Sequence, residues 1–196
     1  MNFFEIENMI LCLTERNGRK MDLTEKTVSS KEIFDGIVVK LRVDTVTLPD
    51  GGSATREIIA HPGGVSVLAI DDDKNVFLVK QFRKPTEQAL IEIPAGKLEY
   101  GEDPLEAGKR ELSEETGAEA EEFIPLGYFY PTPAYCEEKT YMYLARGLKM
   151  NKQHLDEDEF LEVLKMPYDK LYDMVINDEI VDGKTALAVL KAKRFI

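Results

Sequence analysis

Residues Gly96 to Ala118 read GKLEYGEDPLEAGKRELSEETGA, a segment that combines helix signals with a high density of carboxylates. Asp103 can act as an N-cap, a proline follows at the first helical position, and Glu106 completes an Asp-x-x-Glu capping box. Gly117 can end the helix in a left-handed conformation. The segment therefore predicts a helix over residues 104–116.

Three glutamates share one edge of this predicted helix. Glu111 and Glu115 lie one turn apart, and Glu114 lies beside them. Like charges at this spacing destabilise a helix by roughly 0.2–0.5 kcal/mol per pair. Carboxylates that converge in this way predict a hard-oxygen site for Mg²⁺ or Mn²⁺. The alternative is a solvated acidic helix, which is the usual role of a charge run.

The segment resembles the signature of the Nudix hydrolase family. Every defining position is filled, by Gly96, Glu102 and the run Arg110-Glu111-Leu112-x-Glu114-Glu115-x-Gly117-Ala118. The resemblance implies hydrolysis of a nucleoside diphosphate linked to another moiety, by attack of water on phosphorus. Because two phosphates repel an incoming hydroxide, such chemistry needs cations at the diphosphate.

Carried over by position, the resemblance implies a metal site made by the Ala95 carbonyl and by Glu111, Glu114 and Glu115. Glu114 is also expected among the catalytic residues. Gly96 and Leu98 are expected to contact the substrate. Mg²⁺ is the expected cofactor, and Mn²⁺ can substitute for it.

Two neighbours of these glutamates are expected to act by orientation. Arg110 is expected to fix a glutamate of the helix through its guanidinium group. Glu102 is expected to tie the preceding loop to the helix.

The loop PTPAYCEEK at residues 131–139 supplies a second group of candidates. Pro133 lies fifteen residues after Ala118, which resembles the ADP-ribose pyrophosphatase branch of the family. In that branch a loop glutamate acts as a base or holds a metal-bound water. Glu138 aligns best and Glu137 is the alternative, since Ala134 replaces the glycine that usually follows the proline. The loop also fits a plain proline-rich connection.

Two arginines and one phenylalanine are candidates for binding the substrate. Arg56 and Arg83 lie in segments that resemble family segments whose arginines contact the substrate. A guanidinium suits both a phosphate and the face of an adenine ring. Each arginine could equally form a surface ion pair. Phe34 is a weaker candidate for stacking on adenine, because an ordinary core aromatic fits better.

Composition excludes several other classes. The chain has 196 residues, a net charge of −12 and a pI near 4.7, which argues against a nucleic-acid or anionic-membrane binder. No apolar run approaches the roughly 18–20 residues of a membrane span. Glu5 and Glu7 argue against an export signal. Cys12 and Cys136 provide no disulfide framework. These features fit a cytoplasmic protein, and the family resemblance implies a small-molecule nucleoside diphosphate substrate.

Apolar patterning predicts an α/β fold with a mixed sheet between helices. A hairpin is expected over residues 37–61, further strands at 65–70, 76–82, 89–94, 123–130, 140–145 and 160–166, and late helices at 167–177 and 183–195. The resemblance implies an α/β/α sandwich at residues 62–196 and a small N-terminal β subdomain at 21–61, exchanged across a homodimer. Residues 1–20 are either an extra segment or the result of a start assigned upstream of Met21.

Substrate choice follows from the resemblance alone. ADP-ribose is the expected substrate, with AMP and ribose 5-phosphate as products. One rival is a pyrophosphatase for another nucleoside diphosphate derivative or a dinucleotide. The other rival is a non-catalytic ligand sensor on the same fold.

Overall fold

The computed structural model describes residues 22–153 and 160–196, together with two short strands, β1 (Glu15–Arg16) and β2 (Arg19–Lys20), which pair antiparallel. The expectations for Cys12, and those for residues 1–20 apart from these strands, lie outside the described residues. The chain divides into two compact units, residues 1–60 and 61–196.

The N-terminal unit contains a three-stranded antiparallel sheet, in the order β3 (Lys26–Asp35), β4 (Lys40–Thr47) and β5 (Ser53–Ala60). Strands β4 and β5 form the hairpin that the sequence predicts. Strand β3 was not predicted, because KTVSSKEIFD lacks the alternation of apolar and polar residues that marks a half-buried strand. All ten of its residues are exposed.

The C-terminal unit is built on a seven-stranded mixed sheet, as predicted. Strands β10, β11, β6, β7 and β12 lie in that order, and β8 and β9 pair with β7 and β6. The pairing of β11 with β6 is parallel and the other pairings are antiparallel. The strands are β6 (Gly64–Ile70), β7 (Asn75–Arg83), β8 (Gln88–Glu92), β9 (Ala95–Lys97), β10 (Ala118–Phe129), β11 (Thr140–Met150) and β12 (Leu161–Pro167).

Helices cover both faces of this sheet, which confirms the predicted α/β/α sandwich. Helix α1 is Pro104–Thr116, α2 is Tyr168–Ile176, and α3 is Gly183–Ala192. Strand β6 is buried on both sides because its side chains alternate between the two layers. Val67 belongs to the same apolar cluster as Leu112 of α1, whereas Leu68 belongs to the cluster that contains Leu171 of α2. Burying each such side chain contributes about 1.5–3 kcal/mol.

Within the residues described, no helix has both the length and the apolar character needed to cross a bilayer.

Candidate active site

Helix α1 begins and ends where the sequence predicts. The Asp103 carboxylate accepts hydrogen bonds from the amides of Leu105 (2.9 Å) and Glu106 (3.2 Å), and Gly117 adopts a φ of 72°. The Glu106 carboxylate pairs with Lys109 Nζ at 2.7 Å, rather than completing the capping box. These caps fix which residues of α1 face the sheet and which face the preceding loop.

Strand β9 brings the backbone against two glutamates of α1. A Cβ atom at Gly96 would overlap the Glu111 carboxyl group, so only glycine permits this approach. One residue earlier, the Ala95 amide donates to Glu115 Oε2 at 3.0 Å. Glu111 is 9% exposed and Glu115 is 3% exposed. Two carboxylates are thus held largely out of water beside one backbone segment.

Arg110 is the counter-charge of this acidic edge. Its Nη1 donates to Glu111 at 2.8 Å and to Glu114 at 3.0 Å, and its Nε donates to Glu102 at 3.1 Å. Glu102 also accepts from the Glu99 amide at 2.8 Å, so it ties the loop to the helix. Partial burial acts to lower the pKa of Arg110, but the bonds and charges of Glu102 and Glu111 outweigh it and raise that pKa.

The metal site expected at Glu111, Glu114 and Glu115 stays a prediction. Across residues 22–153 and 160–196, no three His, Cys, Asp or Glu side chains lie close enough together to hold an ion. Arg110 is the physical reason, because it binds one oxygen each of Glu111 and Glu114. Glu115 instead accepts from the backbone amide of Ala95. The donors nevertheless fit Mg²⁺, which prefers carboxylate and carbonyl oxygens.

Glu138 reaches the same place from the loop before β11. Thr140 Oγ1 donates to Glu138 Oε1 at 3.0 Å, and the Lys139 carbonyl accepts from the Gly64 amide at 3.0 Å. A Cβ atom at Gly64 would lie 3.4 Å from both Glu138 Oε1 and the Gly96 carbonyl oxygen. Glu138 therefore lies beside Gly64, which also neighbours the Gly96 carbonyl oxygen, while Glu137 is exposed.

Two cavities border these residues. The first, of about 470 Å³, is lined by Pro62, Ala95, Gly96, Lys97, Leu98, Glu99, Tyr100, Arg110, Glu111 and Glu114. The second, of about 500 Å³, is lined by Phe129, Tyr130, Pro131, Glu138, Thr140, Asp182, Gly183 and Lys184. Leu98 borders the first cavity although only 4% of it is exposed. Glu138 and Glu111 therefore border different cavities.

Comparison with known protein families identifies two matching domains in the sequence. Residues 60–185 match the NUDIX domain, and residues 25–59 match the nucleoside diphosphate sugar hydrolase N-terminal domain. The chain belongs to the Nudix hydrolase family.

Similar proteins carry related names. A methanol dehydrogenase activator of Bacillus methanolicus is 46% identical over 84% of this chain and 90% of its own length. An ADP-ribose pyrophosphatase of Bacillus subtilis is 44% identical over 85% of this chain and 91% of its own. The crystal structure of an ADP compounds hydrolase has a TM-score of 0.77 at 18% identity, covering 88% of this chain and 94% of that one, and shares the fold.

Arg83 lies at the end of β7 in the Nudix domain. Its Nε and Nη2 donate to Glu92 at 2.8 and 2.7 Å, and Glu92 is only 1% exposed. Hydrogen bonding to Glu92 is the main cause of the raised pKa of Arg83, and the charge of Glu115 adds to it. The expected role of Arg83 in substrate binding remains a prediction.

Sequence reasoning missed two residues of this neighbourhood, Glu92 and Lys184. Lys184 Nζ donates to Glu92 Oε2 and lines the second cavity. The sequence around Glu92 reads as an ordinary apolar strand, so it gave no signal of a buried charge. The residues Asp182-Gly183-Lys184-Thr185 indicate a helix start, but nothing in them points to Glu92.

Phe34 and Arg56 belong to the N-terminal unit. Phe34 is 58% exposed, which excludes the core-aromatic alternative within the described residues. Arg56 forms a two-bond ion pair with Glu25, in which Nε donates at 2.8 Å. In this single chain, Arg56 therefore forms the surface ion pair that was the alternative to substrate binding. Substrate contacts of both residues remain predictions.

Proposed function

We propose that the chain hydrolyses the diphosphate bond of ADP-ribose, or of a similar nucleoside diphosphate sugar, to AMP and ribose 5-phosphate. The observation that carries this proposal is the placement of Glu111 against Gly96 of β9 and of Glu138 against Gly64 of the paired strand β6, with each glutamate bordering a cavity. A diphosphate with an arm on each side suits glutamates that border two spaces. The match of residues 25–59 to a nucleoside diphosphate sugar hydrolase domain supports the same substrate class.

Mg²⁺, or Mn²⁺ in its place, would be held by Glu111, Glu115 and the Ala95 carbonyl, with Glu114 sharing a further ion. When bound, the metal supplies neutralisation of the diphosphate and lowers the pKa of a coordinated water. Arg110 already binds Glu111 and Glu114, so it keeps both carboxylates oriented. Gly96 keeps this surface open, since any side chain there would displace Glu111.

Glu138 is the group proposed to take the proton of the attacking water. Thr140 holds its Oε1, which leaves Oε2 to accept a proton. A base acts within hydrogen-bond reach of the proton that it removes. Function on a loop held by a rigid sheet is a common arrangement, and here the Gly64–Lys139 hydrogen bond anchors the loop end.

The active form is proposed to be a cytoplasmic homodimer. The N-terminal unit exposes large apolar side chains, among them Val28 at 68%, Ile33 at 50% and Ile37 at 97%. Such a patch is typical of a protein interface. In a twofold assembly, Phe34 and Arg56 would contribute to substrate binding across the interface.

A substrate panel tests the hydrolysis. ADP-ribose, ADP-glucose, NADH and diadenosine polyphosphates are incubated with the protein, with Mg²⁺ or with EDTA, and products are separated by chromatography. We expect AMP and ribose 5-phosphate from ADP-ribose, with Mg²⁺ only. Fastest turnover of a dinucleotide would favour the rival substrate class. No turnover of any compound would contradict the proposal.

A second candidate function is activation of a dehydrogenase, favoured by the 46% identity to a methanol dehydrogenase activator. The test is to add the protein to methanol dehydrogenase of Bacillus methanolicus and to follow NADH formation. Stimulation by wild type would support this role. Stimulation that persists in Glu115→Gln would identify a non-catalytic mode of action. No stimulation would exclude it for that partner.

A further inference from the structure

The Glu92 carboxylate is the most deeply buried charge beside the proposed site. It lies at the end of β8 and is 1% exposed. A carboxylate removed from water is stable only when paired with cations or hydrogen-bond donors. Arg83 supplies one bidentate partner from β7, through Nε and Nη2.

Lys184 supplies a second cation to the same carboxylate. Its Nζ donates to Glu92 Oε2, the oxygen that also receives Arg83 Nη2, and to Asp182 Oδ1 at 3.0 Å. Its side chain is 17% exposed. Arg83, Glu92, Lys184 and Asp182 thus form a row of alternating charges, two positive and two negative.

The far end of this row is anchored in the fold. Asp182 caps helix α3, where its Oδ2 accepts from the Thr185 amide at 3.0 Å and from the Thr185 hydroxyl. Thr185 Oγ1 in turn accepts from the Ile93 amide at 2.9 Å. Lys184 is therefore fixed to both α3 and the end of β8, which gives it a defined position from which to hold Glu92.

This arrangement determines which nitrogen of the Arg83 guanidinium can still donate to a ligand. Its Nε and Nη2 are used by Glu92, whereas Nη1 has no hydrogen-bond partner in the described part of the chain. A guanidinium with one edge fixed and one nitrogen open is preorganised for an anionic oxygen. Glu138 and Lys184 border the same cavity, so the row of charges ends at the proposed site.

We infer that Lys184 is a positioning residue for Arg83. By sharing Glu92 Oε2, Lys184 lets Arg83 hold the carboxylate through Nε and Nη2 and keep Nη1 available for an anionic ligand. Without Lys184, Arg83 is the only remaining cation bound to a buried carboxylate, and its guanidinium reorients towards Glu92. The inference rests on the proposed function in one respect, the contact of Arg83 with a substrate phosphate.

A double-mutant cycle tests the coupling. Lys184→Met, Arg83→Lys and the double variant are assayed with ADP-ribose and Mg²⁺. We expect Lys184→Met to lower kcat/KM by about 10- to 100-fold, as a misplaced binding group does. The loss should fall mainly on KM, and Lys184→Arg should restore most of it. In the Arg83→Lys background, the same Lys184→Met change should cost less than about twofold, since residues that act as a unit are non-additive.

Equal losses from Lys184→Met in both backgrounds would overturn the inference, because Lys184 would then act without Arg83. An unchanged kcat/KM in Lys184→Met would overturn it as well. Lys191→Met is the matched control, because Lys191 belongs to the same helix α3 but neither bonds Glu92 nor lines the second cavity, and this variant should retain wild-type kinetics. The double variant Glu92→Gln/Lys184→Met removes both buried charges and serves where the single variant fails to fold.

Crystal structures of wild type and Lys184→Met separate this inference from the proposed function. We expect the Arg83 guanidinium to have moved in the variant. An unmoved guanidinium overturns the positioning role whatever the substrate. If wild type and Lys191→Met both fail to hydrolyse ADP-ribose, the proposed function fails, while the position of Arg83 still decides whether Lys184 holds it.

Discussion

At the scale of single residues, Gly96 is decisive because its lack of a side chain lets the backbone lie against Glu111. The Glu111 carboxyl group fills the space that a Cβ atom at Gly96 would take, and Glu138 lies next to Gly64. A side chain at Gly96 would therefore push the Glu111 carboxylate out of its position. The site therefore depends on glycines as much as on its carboxylates.

The first prediction separates two adjacent glutamates of the loop. Glu138→Gln should lower kcat far more than it raises KM, because the base acts in the transition state. Glu137→Gln is the matched control and should lower kcat only slightly, since Glu137 is exposed. Steady-state kinetics with ADP-ribose decide between them. A larger loss in Glu137→Gln would identify it as the base.

At the scale of elements, the N-cap of α1 fixes the helix that carries three candidate ligands. Asp103→Ala should lower the free energy of unfolding by about 1 kcal/mol, because two amides lose their acceptor. Lys109→Ala removes only an exposed ion pair with Glu106 and should cost less than about 0.5 kcal/mol. Urea denaturation measures both. Equal losses of unfolding free energy in the two variants would show that the Asp103 cap stabilises the helix no more than an exposed ion pair does.

The buried row of charges should make stability depend on pH. Burial acts to raise the pKa of Glu92, but Arg83 and Lys184 outweigh it, so that pKa lies below the usual 4.5. A lowered pKa stabilises the folded state fully above pH 4.5 and progressively less as the pH falls through the folded-state value.

Urea denaturation from pH 7 to pH 3 tests this dependence. Wild type should lose stability below pH 4.5, and Glu92→Gln should lose less over the same interval. The matched control is Glu122→Gln, an exposed strand glutamate, which should follow wild type. If the free energy of unfolding fell equally with pH in Glu92→Gln and wild type, the lowered pKa of Glu92 would be contradicted.

Elements with strong local signals could be predicted from the sequence. Helix α1 was predicted to the residue because its cap, proline and terminal glycine all agree. Strand β9 was not predicted, since three residues are too few for a pattern, although it holds Ala95 and Gly96. The Glu92–Lys184 pair is 92 residues apart in sequence. Local patterns carry no information on such a contact, which arises only when α3 packs beside β8.

At the scale of the whole molecule, the exposed apolar residues of the N-terminal unit predict self-association. Sedimentation should give about twice the 22.2 kDa chain mass at micromolar concentration. Ile33→Lys places a charge in the proposed interface and should yield monomers with reduced activity. Ile176→Lys is the matched control, at 56% exposure against 50% for Ile33, and should remain dimeric.

A fully active monomeric wild type would contradict the shared site. Deletion of residues 1–20 should leave the dimer and its activity intact, whereas deletion through His61 should abolish both.

The glutamates of α1 are proposed to hold the metal ion that hydrolysis of the diphosphate would require. The most direct test is kcat for ADP-ribose at saturating Mg²⁺ in Glu115→Gln, with Glu122→Gln as the control. We predict a loss of roughly 10²-fold or more for Glu115→Gln, a few kcal/mol of transition-state stabilisation, and none for the control. Near-normal turnover by Glu115→Gln would contradict the claim.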